Sequence, residues 1–378
     1  MFKKVAVALF LVCSGLFTQA MDLSLIGSRA GEIAASLDDS DLVAQLLLTG
    51  IDGKTGLAPA MRALLVKIPA GGIMLFRYNL DSSKAGVKAL LSETAAIASA
   101  RTGIQPFMAV DHEGGLVNRF GAVAERLPSA FSFWELAQRE GREVALKKAE
   151  DLYMRSALEI RELGINMVLG PVAEILDEGN RRFLETRSYG PDPEFTREAA
   201  SAYIQSMDGA GIASVVKHFP GNSSADPHSA VSILRADKAA LDEMVKPFAD
   251  IIRGLEAPAL MISHVMVPAI DSQKNASLSR IVIEDWLRGE LGFKGIVLAD
   301  DYSMGAVSAL GISPEAAAVE ALNAGIDMIM AWPHNIAGVH AGILDALRDG
   351  RISRERLLEA AGRIIAGKLR YGIIDFQE

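Results

Sequence analysis

The chain has 378 residues, half of them hydrophobic and 22% charged, which is enough apolar material for one large core. Its formal net charge is −9, from 47 acidic against 38 basic side chains, and no basic stripe runs along it, which argues against a nucleic-acid partner. The length admits two average domains or one α/β barrel, and no Pro/Ser linker, internal repeat or low-complexity tract divides it.

The N-terminus reads as an export signal. Phe2-Lys3-Lys4 precedes an apolar run from Val5 to Phe17, and Thr18-Gln19-Ala20 brings a small residue to a cleavage point. The run is too short to span a bilayer comfortably, so residues 1–20 are assigned to a signal peptide and 21–378 to a single domain without a membrane span. The mature chain then begins at Met21, and losing Lys3 and Lys4 takes its net charge from −9 to −11. Its expected location is periplasmic or extracellular. Cys13, the one cysteine, lies inside the removed segment, so no disulfide or thiolate metal site is expected. Lipid attachment at Cys13 is the lesser alternative, because Val12 stands where a small residue is usual.

Short apolar runs bounded by Gly, Pro or Asp then recur: Leu46–Gly50, Gly72–Phe76, Pro106–Asp111, Ile165–Pro171, Ala213–His218, Ala259–His264, Gly295–Asp300 and Asp327–Trp332. Each is apolar almost throughout, as parallel strands covered on both faces should be. Helical patterns alternate with them, among them Arg142–Leu163, Phe195–Asp208, Ala239–Leu255 and Pro314–Asn323, the last behind a Ser313-Pro314 start. Eight β/α units predict a closed (β/α)8 TIM barrel in a single domain. A doubly wound open sheet is the alternative. Gly50-Ile51-Asp52-Gly53 lacks the spacing of a dinucleotide fingerprint that would favour it.

Active sites of such barrels lie at the C-terminal ends of the strands. Here the third strand ends in Asp111-His112-Glu113, the fifth in Lys217-His218, the sixth in His264 and the seventh in Asp300-Asp301. One buried polar residue is most often structural, but four strands ending this way point to a site. His218 and His264 on successive strands raise metal-assisted hydrolysis. The first strand offers Leu48-Thr49-Gly50 where a His-x-His would be needed, so the ligand count falls short. Glycoside cleavage fits better, because Asp300 or Asp301 can act as nucleophile and a separate group as proton donor. Asp226 and His228 flank Pro227, so the carboxylate could orient the imidazole and favour its protonated form. Taken alone, Asn222–Ser229 reads as a solvated loop.

Several segments resemble glycoside hydrolase family 3. They are "VDHEGGLVNRF" (Val110–Phe120), "ETRSYGPDPE" (Glu185–Glu194), "VKHFPG" followed by "DPH", and "GIVLADDYSMGA" (Gly295–Ala306). "SHVMVPAID" (Ser263–Asp271) and "ASLS" (Ala276–Ser279) point to its bacterial β-N-acetylglucosaminidase branch, in which an Asp-His pair on a loop is distinctive. The match runs from about residue 40 to 370 in the family's order. It implies Asp300 as nucleophile, His228 as acid/base with Asp226 as its partner, and Asp111, Arg119, Arg187, Lys217 and His218 as holders of the terminal N-acetylglucosamine. Strand alternation alone puts Asp300 and Asp301 on opposite faces without saying which is inward. The chain departs from the branch in its loop, where only Asn222-Ser223-Ser224-Ala225 separate the Pro-Gly turn from Asp226, and Pro227 replaces the usual serine. If that loop fails to deliver His228, Glu113 is the next candidate acid.

The resemblance thus implies a retaining β-N-acetylhexosaminidase acting on peptidoglycan fragments or related oligosaccharides. It implies a carbohydrate partner, no nucleic acid, no metal or organic cofactor, and action as a monomer. The alternatives are phosphorolysis of the same glycosides and non-catalytic binding of cell-wall glycan. Arg187, Arg119 and Asp111 are expected to act on the sugar rather than on the fold.

Overall fold

The computed structural model describes residues 23–80, 83–223, 232–302 and 311–376. All eight apolar runs are strands: β1 (Leu47–Gly50), β2 (Gly72–Leu75), β3 (Phe107–Gly114), β4 (Met167–Val172), β5 (Ala213–Phe219), β6 (Ala259–Ile262), β7 (Ile296–Ala299) and β8 (Ile329–Met330). Asp111 is the one residue in them that is not fully buried. This burial is what made them legible as continuous apolar runs, with the barrel interior on one face and helices on the other.

Each strand pairs in parallel with the next from β1 to β7, and β8 returns to β1 through Leu47↔Ile329 and Leu48↔Met330. The remaining gap, between β7 and β8, is bridged at Leu298↔Met328, and the Asp327 N–H donates to Val297 O at 2.8 Å. The ring is therefore the predicted (β/α)8 barrel. An open doubly wound sheet would not bring its last strand back to its first.

Where that ladder is thinnest, Asp327 acts as a clasp. The side chain is fully buried. Its Oδ1 accepts from Arg356 at 3.0 Å and Arg363 at 2.9 Å, both on the last helix, Arg354–Arg370. Its Oδ2 accepts from Arg288 at 2.7 Å, on helix Ile281–Glu290, and from the Val297 N–H of β7 at 2.9 Å.

The expected helix Arg142–Leu163 is present and ends at Gly164 in the left-handed region. Its neighbour begins earlier than the apolar period suggests, at Pro193, because the Asp192 carboxylate caps the Glu194 and Phe195 N–H groups. The expected helix Ala239–Leu255 is two, Lys238–Met244 and Lys246–Leu255, broken at Val245. Pro247 lies in the first turn of the second, where its missing N–H costs nothing, but it could not continue the first. Ser313 caps Pro314–Ala324 as read. At the N-terminal end of the barrel, helix Leu23–Ser36 buries the stripe Ile26, Ala30 and Ala34 and packs on Arg354–Arg370.

Candidate active site

Alternation along β3 sorts its polar end. Asp111 and Glu113 share one face and His112 takes the other. The His112 Nε2 lies 2.7 Å from Ser156 Oγ, its ring packs edge-on against Phe120, and burial pushes its pKa down to about 4. It is a neutral prop behind the site. Gly114 and Gly115 then turn the chain with φ of 90° and 54°, and a Cβ on Gly114 would stand 2.2 Å from Pro128 O. Val117–Asn118 folds back antiparallel on the end of β3, which brings the Arg119 Nη2 to 3.2 Å from Asp111 Oδ2.

Two further cations complete the floor. Lys217, from β5, places Nζ 2.9 Å from Asp111 Oδ1 and 2.6 Å from Glu113 Oε1. Arg187 forks onto Glu113, Nε to Oε2 at 2.8 Å and Nη2 to Oε1 at 2.9 Å. Desolvation by itself would raise both carboxyl pKa values. The charge of Lys217, aided by Arg119 at Asp111 and by Arg187 at Glu113, overrides it and holds both below the ordinary carboxylate range, Glu113 far below. Lys217 is correspondingly held up, against its own desolvation, by Asp111 and Glu113. Glu113 is therefore locked as an anion, which removes it as a substitute proton donor.

Beside this floor, the His218 Nδ1 sits 2.6 Å from Glu174 Oε1, and the Asn222 side-chain amide donates to both Glu174 oxygens at 3.1 and 3.2 Å. A carboxylate oxygen there accepts from Nδ1–H, and the other ring nitrogen, Nε2, lies 3.4 Å from the Arg187 guanidinium. Glu174 follows β4, the strand whose end showed no polar residue in the apolar-run reading. Its signal was a single acid three residues beyond Pro171.

Across the mouth, regular pairing of β7 ends at Ala299, although the Asp300 N–H still donates to Ile262 O at 3.2 Å. Asp301 is held from two sides. Its carboxylate accepts from Trp332 Nε1 at 2.7 Å and its carbonyl from His264 Nε2 at 3.0 Å. The other His264 nitrogen lies 2.7 Å from Ser277 Oγ, and burial keeps the ring's pKa low, so it is neutral. Ser277 follows the hairpin of Met266–Val267 and Asp271–Asn275, which Ser279 ties by donating to Asp271 Oδ2 at 2.6 Å. The serines of "ASLS" thus anchor the support for Asp301. Asp300 accepts the Asp301 N–H at 2.9 Å and meets no lysine or arginine among the described residues.

The structure therefore gathers Asp111, Arg119, Arg187, Lys217 and His218 into one ion-paired floor, with Asp300 at the end of β7. Asp226 and His228 lie outside the described residues, as do Cys13 and the expected cleavage point before Met21. A recess of about 690 Å³ at the opposite end of the barrel, between the first and last helices, is lined by none of the candidate site residues. The glycosyl hydrolase family 3 N-terminal domain matches residues 40–366 of this chain. The chain belongs to glycosyl hydrolase family 3.

Among its relatives in this family, the beta-hexosaminidase of Thioalkalivibrio sulfidiphilus is 34% identical over 317 residues, covering 82% of this chain and 87% of that protein. That of Neisseria gonorrhoeae is 35% identical over 285 residues, 74% of each chain. A family 3 beta-N-acetylglucosaminidase from Paenibacillus sp. str. FPU-7 superposes with a TM-score of 0.83 at 30% identity, over 91% of this chain. The chain spans 64% of that longer protein. The family match begins after the helix at the barrel's N-terminal end and runs into the last helix, so it takes in every strand and every part of the floor.

Proposed function

We propose that this family 3 chain is a retaining β-N-acetylhexosaminidase that removes terminal β-linked N-acetylglucosamine from peptidoglycan fragments or related oligosaccharides. One observation carries the reading. Among the described residues, Asp111 and Glu113 are bound by cations and Asp301 by Trp332, whereas Asp300 at the end of β7 meets no lysine or arginine to blunt it. A nucleophile needs that condition. The names of the relatives supply the sugar.

Asp300 Oδ attacks the anomeric carbon while the leaving oxygen takes a proton, and a covalent glycosyl ester forms as the glycosidic bond breaks. Water then attacks the same carbon, gives up a proton, and frees both the sugar and the carboxylate. Asp111 and Glu113 are both held ionised, so neither is fit to donate the first proton. That favours His228, oriented by Asp226, as acid in the first step and base in the second. The floor of Asp111, Arg119, Arg187, Lys217 and His218 holds the terminal ring.

Asp300→Asn keeps the shape of the side chain but removes its nucleophilic charge, so turnover should fall by orders of magnitude with an unchanged melting temperature. Asp301→Asn keeps an acceptor for Trp332 and should cost far less. A slow fluorinated N-acetylglucosaminide should leave its label on the peptide containing Asp300, read by mass spectrometry. Label on Asp301, or reversed kinetic effects, would refute the assignment.

A further inference from the structure

The two strands that flank β1 are followed by the same four-residue device. After β2 comes Phe76-Arg77-Tyr78-Asn79, and after β8 comes Trp332-Pro333-His334-Asn335, each an aromatic residue with asparagine three positions on. In both, the asparagine Oδ1 accepts the N–H of the aromatic residue, at 2.9 Å for Phe76 and 2.7 Å for Trp332. In both, the asparagine N–H donates back to the aromatic residue's carbonyl at 2.9 Å. The backbone that carries each ring is thereby closed on itself. Asn79 is tied further, its amide donating to Ile51 O at 3.0 Å and Gly53 O at 2.9 Å.

Between the two, β1 ends in Gly50, and the rings meet over it. Their centroids are 5.4 Å apart at 54°. A Cβ on Gly50 would stand 3.4 Å from Phe76 Cε2 and 3.4 Å from Trp332 Cε3, so a longer side chain there would push the rings apart. The indole is therefore fixed by its backbone and by its packing. Its single donor, Nε1–H, is given to the Asp301 carboxylate at 2.7 Å. The Asp301 carbonyl is held by His264 Nε2 at 3.0 Å, and the Asp301 N–H donates to Asp300 Oδ1 at 2.9 Å. With side chain and carbonyl gripped, the remaining polar group of Asp301 is aimed at the carboxylate beside it.

We propose that Trp332 is a positioning residue: by fixing Asp301 it keeps the Asp301 N–H on Asp300 Oδ1 and holds the Asp300 carboxylate in one orientation for attack. The inference rests on the hydrolase reading above, in which Asp300 is the nucleophile. A carboxylate free to turn about its side-chain bonds must be ordered before each attack, and a misplacement of about 1 Å at a reacting atom costs about a hundred-fold in rate.

Trp332→Phe keeps an aromatic ring over Gly50 and removes the N–H. In single turnover of an aryl β-N-acetylglucosaminide, the saturating rate of glycosyl-enzyme formation should fall by about ten- to a hundred-fold, the worth of a hydrogen bond to a charged group. The half-saturating concentration and the melting temperature should hardly move. Asp301→Ala should lose as much, and Asp301→Asn, which still accepts from the indole, far less. In the Asp301→Ala background, Trp332→Phe should cost nothing further. An unchanged rate, a raised half-saturating concentration with the rate kept, or equal losses in the two backgrounds would overturn the inference. Amide exchange at the Asp301 N–H reads the same contact without activity. It should quicken on the order of ten-fold in Trp332→Phe, and unchanged exchange would equally overturn the inference. Quickened exchange in a chain whose parent forms no glycosyl-enzyme would instead fail the hydrolase reading and leave the hold of Trp332 on the aspartate pair standing.

Discussion

Arg187 is one of three side chains expected to touch only the sugar, and the structure gives it a second task. Its guanidinium is the bidentate partner of Glu113, a carboxylate that is 2% exposed. Truncating it leaves that anion with Lys217 alone, and an undercompensated buried charge costs about 3–5 kcal/mol. Arg187→Ala should therefore lower both kcat/KM and the melting temperature, while Arg187→Lys, which keeps the charge but not the fork, should fall between. Arg119→Ala, at a third exposed, should lose activity with a much smaller thermal shift. Thermal melts of the three variants beside their kinetics check this; an unshifted melt for Arg187→Ala would show the pair to be dispensable to the fold. At this scale the sequence was informative where polar residues ended an apolar strand, as with Asp111, Lys217 and Asp300. It was silent on Glu174, which follows its strand at a distance, and on Trp332, whose hydrogen bond to Asp301 cannot be anticipated from an indole at the end of an apolar run.

The strands were readable from end to end because burial on both faces leaves no polar alternation to mislead, and β1 to β8 fall inside the predicted runs or overshoot them by a few residues. Helix limits depended on local chemistry that an apolar period ignores, namely the Asp192 cap and the Pro247 break. The closure of the ring was less legible still. Asp327 opens its apolar run like any boundary residue, yet it binds three arginines and the β7 backbone from a fully buried position. Asp327→Ala would strand Arg288, Arg356 and Arg363 against one another and should destabilise by about 3–5 kcal/mol. Asp327→Asn, which can still accept from Val297, should cost less. Denaturant unfolding gives the values, and hydrogen exchange should show the loss of protection beginning at the β7–β8 seam. Uniform loss over all eight strands would mean that the clasp has no local role.

Taken over the whole molecule, the buried titratable groups define an acid limit. Glu113 and Asp111 have folded pKa values below their unfolded ones, so they stabilise the fold above the unfolded carboxylate range and lose that effect as pH falls below about 4. His112 acts earlier. It is neutral in the fold until about pH 4 but takes a proton near 6.5 when unfolded, so stability declines as pH falls from 6.5 towards 4, by up to about 3 kcal/mol. His264 and His340, also held down chiefly by burial, act in the same sense. Stability measured against pH should thus fall in two stages, and His112→Gln should shrink the upper one while leaving the lower. A single transition near pH 4 in the parent chain would contradict this. The three acids and three bases of the floor have a consequence in ionic strength. Charges that sit mostly out of water are hardly screened by salt, whereas an exposed group such as Arg77 is screened within about 8 Å at physiological salt. Concentrated salt would therefore loosen the charge contacts of the outer surface while leaving this floor paired, so the pocket would keep its shape in brine.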